Sequence, residues 1–253
     1  MSGHSKWSQI KRQKGVADIK RGKVFTKMAN AIIVAVRDGK SGDPDANFKL
    51  RLAIEQARSV NMPKENIQRA IERGLGKSGV LGDLEEVIYE GFGPAKVAII
   101  VEALTDNRNR TTAEIKKIFE LSGGTLTSPG SISWMFADGG VIVVPKNGKR
   151  IEEIFDLAVE AGAEDVEDAG NSVEIYTKPQ ELEIVKKAMI AKGLNLSSAQ
   201  ITKKPSNMVE VGDQDTAKKI LNLMEKLEEQ DDVQKVYSNF DIPDNLLEGI
   251  QGS

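Results

Sequence analysis

Residues 140–204 constrain the fold more than any other stretch. Residues 140–144 (Gly-Val-Ile-Val-Val) read as a buried strand. Ile151, Ile154, Phe155, Ala158 and Val159 then recur at three- and four-residue steps, the spacing of one helix face. Two short strands follow at 164–167 and 172–177, then a helix at 179–192 closed by Gly193, then a strand at 199–203. The order βαββαβ is that of the split βαβ unit.

The flanking sequence repeats the logic in two pieces. Residues 86–90 alternate, Gly91-Phe92-Gly93-Pro94 makes a turn, and 96–104 form a buried strand. Thr111 with Glu114 fits a capping box for a helix that turns Ile115, Ile118 and Phe119 inward. Gly123-Gly124 ends that helix, and 131–136 read as a strand. Beyond the 140–204 unit come a strand at 208–211, a helix face made by Ala217, Ile220, Leu221, Met224 and Leu227, and a strand at 233–240. The two βαβ halves together make a second split βαβ unit, with 86–90 as an extra strand and the first unit inserted between the halves. Three sequential domains are the competing arrangement.

From about Val16 to residue 74 the periodicity is helical, whereas the part before Val16 has none and reads as a basic arm that is flexible when free. Phe25, Met28, Ala29, Ile32, Ile33 and Val36 share one face from about Val16 onward. Asp43-Pro44 reads as an N-cap followed by Pro at the first helical position, opening a helix with Leu50, Ala53, Ile54 and Ala57 inward. Asn61-Met62-Pro63 breaks it, and Pro63 opens a third helix with Ile67, Ala70 and Ile71, ended by Gly74. The glycine-rich stretch 74–82 reads as a linker. Its Gly76-Lys77-Ser78 is no P-loop, because Ile71 stands where the first glycine is needed and a helix, not a strand, precedes it.

The predicted fold is therefore α+β: an N-terminal basic three-helix bundle plus two split-βαβ (ferredoxin-like) α/β domains, the last inserted into the middle one. The expected boundaries are 1–77 for the bundle, 78–138 with 206–240 for the discontinuous domain, 139–205 for the insert and 241–253 for a loose tail.

Charge divides along the same line. Residues 1–77 hold 17 Lys+Arg and 7 Asp+Glu, or +10, and the remainder sums to −13, giving the overall −3. Lys6, Lys11, Arg12, Lys14, Lys20, Arg21, Lys23 and Lys27 face a single acid, Asp18, with Trp7 among them. Lys20, Lys23 and Lys27 fall opposite the apolar face of the first helix. These cations and Trp7 are the candidate nucleic-acid contacts, an electrostatic footprint for phosphates. Arg51, Arg58, Lys64, Arg69 and Arg73 add charge to the outside of the bundle, although no recognition helix with Asn, Gln and Arg on one face is evident. Arg108 and Arg110, ahead of a helix N-terminus, are a candidate second anion site. Phe92, on its turn, either stacks on a base or tucks into a core edge, and the second is favoured.

Catalytic chemistry finds little footing. There is no Cys, and His4 is the one His, so no zinc site of usual spacing can form. The acid pairs Glu85-Glu86, Glu152-Glu153 and Asp231-Asp232 are sequence neighbours whose side chains diverge. The expectation is a protein that is no enzyme and takes no cofactor, metal or small-molecule substrate. It has no membrane-length apolar run, and the cysteine-free composition suits the cytoplasm.

Several long motifs carry a resemblance. The segment SGHSKWSQIKRQKGVADIKRGKVFTKMANAIIVAVRDG resembles the opening of the YebC/PmpR family, and so do AIEQARSVNMPKENIQRAIERG, YEGFGP and TDNRNRTTAEIKKIF further on. The resemblance continues through AGAEDVED and DDVQKVYSNFDIP and so spans the chain. It implies three α+β domains and bacterial cytoplasm, with a mitochondrial branch. It implies a DNA-binding transcriptional regulator or, as in the mitochondrial translational activator of cytochrome oxidase subunit I, an RNA-binding factor acting at the ribosome, for instance to relieve stalling at proline-rich sequences. It supplies no catalytic residues. The partner is thus DNA or RNA, possibly ribosomal RNA, with both left open and no oligomeric state implied.

Overall fold

A computed structural model describes residues 21–76, 84–243 and 246–247, with backbone alone for residues 21 and 22. It is a mixed helix and sheet protein with a helical N-terminal region, as expected. Three helices come first: α1 (Arg21–Gly39), α2 (Phe48–Ser59) and α3 (Lys64–Gly74). Their inward residues are those of the apolar periodicity. Ile32, Ile33, Val36, Leu50, Ala53, Ile54, Ala57, Ile67, Ala70 and Ile71 are all buried in one cluster. Helix α3 lies so close to α1 that a Cβ on Gly74 would stand 2.7 Å from that of Val36.

The turn before α2 differs from expectation. Asp43-Pro44 does not start the helix; Asn47 does. Its side chain accepts from Leu50 N at 3.1 Å and donates to Ala35 O at 2.8 Å and Ser41 O at 3.1 Å. A buried Asn with partners on both α1 and the turn outcompetes a Pro-based start, because it satisfies the free N–H of α2 and orients the helix pair at once. At the far end of α3, the left-handed residue is Gly76 (φ 74°), two residues beyond the expected Gly74.

The first sheet contains β1 (Glu85–Phe92), β2 (Ala98–Thr105), β3 (Thr125–Leu126) and β9 (Val233–Ser238) in the order β3-β1-β2-β9, antiparallel throughout. Helix α4 (Arg108–Leu121) and helix α7 (Gln214–Glu229) supply Ile115, Phe119, Ala217, Ile220, Leu223 and Met224 to its core. The second sheet contains β4 (Phe136–Pro145), β5 (Asp165–Asp168), β6 (Ser172–Thr177) and β7 (Ser198–Pro205), ordered β5-β6-β4-β7, with α5 (Ile151–Glu160) and α6 (Leu182–Ala191). That is the split βαβ arrangement read from 140–204. In sequence the whole second sheet lies between β3 and β9 of the first. Strands β4 and β7 pair from Phe136↔Pro205 onward, so the two connections between sheets run side by side.

Four local expectations are corrected. The segment expected as a strand at 131–136 is a bend and a 3₁₀ turn (Ser133–Met135), and β4 begins only at Phe136. A carboxylate takes the N–H groups at its start: Glu90 accepts from Gly130 N (2.8 Å), Ile132 N (2.5 Å), Ser133 N (3.1 Å) and Ser133 Oγ (2.6 Å). The strand expected as an extra, β1, instead occupies the inside of the first sheet. The expected strand at 208–211 is reduced to β8 (Val209–Glu210), which pairs in parallel with β10 (Phe240–Asp241) outside that sheet. The tail is not loose throughout, since Ile242 and Leu247 are buried against the core of the first sheet.

The bundle is wedged against both sheets. Leu104 of β2 belongs to the bundle core, and Leu52 of α2 belongs to the core of the second sheet. Polar contacts reinforce the seam. Lys186 meets Glu55 at 2.6 Å, Arg51 meets Glu183 at 3.4 Å, and Arg37 donates to Leu84 O at 2.6 Å.

Candidate nucleic-acid interface

Lys6, Trp7, Lys11, Arg12, Lys14 and Lys20 lie outside the described residues, as do the side chain of Arg21 and residues 77–83 of the expected linker. Lys23 and Lys27 are described, and both are engaged within the chain. Lys23 Nζ is 2.8 Å from Asp231 and 3.2 Å from Glu229 O, and Lys27 donates to Glu228 O. These acceptors are at the C-terminal end of α7, where unpaired carbonyls and the helix dipole favour a cation. The hydrogen bond to Asp231 holds the Lys23 ammonium above its ordinary pKa. Exposed pairs of this kind contribute at most about 1 kcal/mol, so the contact orients α1 more than it holds it.

Arg108 and Arg110 are brought together, but with acids. The helix starts earlier than the expected capping box, with Asn107 as its cap accepting from Arg110 N at 3.1 Å. Arg108 pairs with Glu85 at 3.0 Å, and Arg110 with Asp106 at 3.0 Å and Asp232 at 2.9 Å. Thr111, expected as the cap, is buried and donates to Asp232 at 2.6 Å. Burial pushes the Asp232 carboxyl up, but hydrogen bonds from Thr111, Arg110 and Gln230 outweigh it and hold the group below its ordinary value. Any anion arriving here meets Glu114, Glu229, Asp231 and Asp232 around Arg110 and Lys23. Phe92 packs on the cluster of Ala98, Ile100, Ile132 and Phe136, the core-edge alternative.

A second depression lies between α1 and α3, with a volume of about 260 Å³. Half-buried Phe25 and Ala29 make its open apolar side over buried Ile33, Met62 and Ala70, and Thr26, Asn66, Arg69 and Arg73 make its polar rim. Asn66, Arg69 and Arg73 follow i, i+3, i+7 spacing, so α3 presents them on one face. In the sequence alone these arginines read as general charge on the outside of the bundle. Their helical spacing was the available signal.

The family description "TACO1/YebC protein N-terminal domain" matches residues 5–77, and "TACO1/YebC second and third domain" matches residues 84–240. The chain belongs to the TACO1/YebC family. It is 51% identical over 254 residues, all of both chains, to a probable transcriptional regulatory protein of Sulfurihydrogenibium sp. (strain YO3AOP1). It is 50% identical to one of Persephonella marina, over 99% of this chain and 100% of that one. The crystal structure of a conserved hypothetical protein from Aquifex aeolicus superposes with a TM-score of 0.82 at 47% identity, over 89% of this chain and 92% of that one. The names of the first two relatives indicate a regulatory protein. Among the described residues, no group of His, Cys, Asp and Glu could hold a metal ion, and no helix is long and apolar enough to cross a membrane.

Proposed function

We propose that this protein is a non-catalytic, cytoplasmic, DNA-binding regulator of transcription that meets its target through the N-terminal helical region. The observation that carries this reading is the +10 charge of residues 1–77 on a chain of net −3, in a family whose relatives are named as probable transcriptional regulators. Phosphates attract the bundle and are repelled by the −13 remainder, so binding is confined to one end of the molecule. Lys6, Trp7, Lys11, Arg12, Lys14, Lys20 and Arg21 make the contacts. Lys23 and Lys27, held by α7, fix the direction in which α1 leads out from the body.

Salt dependence tests this. With roughly five phosphates neutralised, the log–log slope of duplex affinity against salt is about −4 to −5. Changing Lys11, Arg12 and Lys14 together to Ala flattens it. A full-length protein that binds neither duplex nor single-stranded DNA at low salt sinks the reading.

A further inference from the structure

We infer that the α1–α3 groove is a binding site for an unpaired nucleotide of DNA, with the flanking phosphates on Arg69 and Arg73 and the base against Phe25 and Ala29. The inference rests on the nucleic-acid reading above and adds a site to it.

The first support is the disposition of the arginines. Arg37, Arg51, Arg108, Arg110 and Arg150 each meet an acceptor within the chain. Arg58, Arg69 and Arg73 meet none among the described residues, and two of these three line this groove. Guanidiniums one helical turn apart, with Asn66 a further turn along, form a row of donors without internal acceptors. Planar donors of this kind suit phosphate oxygens.

The second support is the floor. Phe25 and Ala29 are only half-buried, and the stacked bases of a duplex leave this apolar strip beside the two arginines without a partner. An unstacked base fills it, because every base has an apolar face and aromatic platforms accept it with little regard to sequence. Asn66, at the rim, carries both a donor and an acceptor for a base edge.

The third support is charge placement. Lys23 and Lys27 leave α1 on a different face from Phe25, Ala29 and Ile33 and run to the acidic end of α7. The groove is therefore on the side of α1 turned away from the acids at the end of α7.

The test is fluorescence anisotropy of the full-length protein with a short labelled single-stranded DNA at several salt concentrations. The comparison probes are the same strand with abasic positions, the same sequence as RNA, and the duplex. Arg69→Ala/Arg73→Ala is expected to weaken single-strand binding roughly tenfold and to reduce the salt slope by about 1.4, two contacts at about 0.7 each. Arg58→Ala/Lys64→Ala removes the same charge from exposed positions outside the groove and is expected to do much less. The abasic strand is expected to bind the wild type about tenfold more weakly than the intact one, the order of one lost stacking contact. Unfolding curves for both double variants check that each is folded. If the wild type binds neither strand nor duplex, the nucleic-acid reading itself fails. If it binds and the groove variant binds equally well with the same slope, the groove assignment alone fails, and the groove belongs to another occupant such as an acidic peptide. Equal losses for the two double variants, indifference to base removal, or tighter binding of the RNA would each overturn the assignment as stated.

Discussion

Glu90→Gln tests how the loop between β3 and β4 is held. Glu90 is 3% exposed, and its two oxygens share four hydrogen bonds. Oε1 accepts from Gly130 N and Ser133 Oγ, and Oε2 from Ile132 N and Ser133 N. A glutamine must turn its NH₂ toward one of these pairs. Facing Ile132 and Ser133, it strands two backbone donors. Facing Gly130 and Ser133 Oγ, it strands one, because the hydroxyl can rotate and accept. The second orientation is the cheaper. It loses one charge-assisted bond and leaves one N–H unmet, a combined cost of about 2–5 kcal/mol. For a chain of this size that lowers the melting temperature by roughly 5–15 °C.

The assay is thermal unfolding from neutral pH into acid, with amide exchange to localise the change. Burial pushes the Glu90 carboxyl up, but bonds from Ser133, Gly130 and Ile132 win and its folded pKa lies below the ordinary value. A depressed folded pKa means the stabilisation is complete above the unfolded value, about 4.3, and is lost as pH falls through the lower folded value. The gap between wild type and Glu90→Gln therefore narrows in acid. A variant melting within about 1 °C of wild type at neutral pH, with unchanged exchange at Gly130, Ile132 and Ser133, would refute the reasoning.

Leu52→Ala removes a bundle side chain, 5% exposed, from the core of the second sheet. It should cost about 2–5 kcal/mol in denaturant unfolding, and a cost near zero would mean that α2 does not dock there. Asp232→Asn removes the carboxylate bonded by Thr111, Arg110 and Gln230. Its folded pKa is lowered, so wild type should exceed the variant above pH about 4 and converge with it in stronger acid. A difference that grows on acidification would contradict the assignment.

The helical bundle and the second sheet were legible because their signals are local. Apolar residues at three- and four-residue steps identified the buried faces of α1, α2 and α3, and the βαββαβ order predicted the second sheet. Three of the misreadings share one cause, a partner distant in sequence. Ser131 to Phe136 alternates like a strand, but Glu90 takes its N–H groups and bends it. Thr111 looks like a cap from its spacing to Glu114, yet Asp232 recruits its hydroxyl and Asn107 caps instead. Lys23 and Lys27 read as a free lysine face because the end of α7 lies some two hundred residues away. Asn66, Arg69 and Arg73 are the opposite case. Their spacing was local and readable, but the floor that gives it meaning is made by α1.

The same long-range contacts decide how the charge asymmetry can act. Taken as a linear sequence, the chain is a basic head on an acidic body, and at physiological ionic strength the two would ignore each other beyond about 8 Å. Folding removes that separation. The end of α7 brings Glu229, Asp231 and Asp232 to the base of α1 and engages Lys23. The bundle is thus neutralised where it meets the body and remains basic where α3 carries Arg69 and Arg73. A polyanion approaching from the α7 side meets carboxylates, and one approaching the α1–α3 groove meets unpaired guanidiniums. Direction of approach follows from which cations the fold has already paired, and net charge alone would not reveal it.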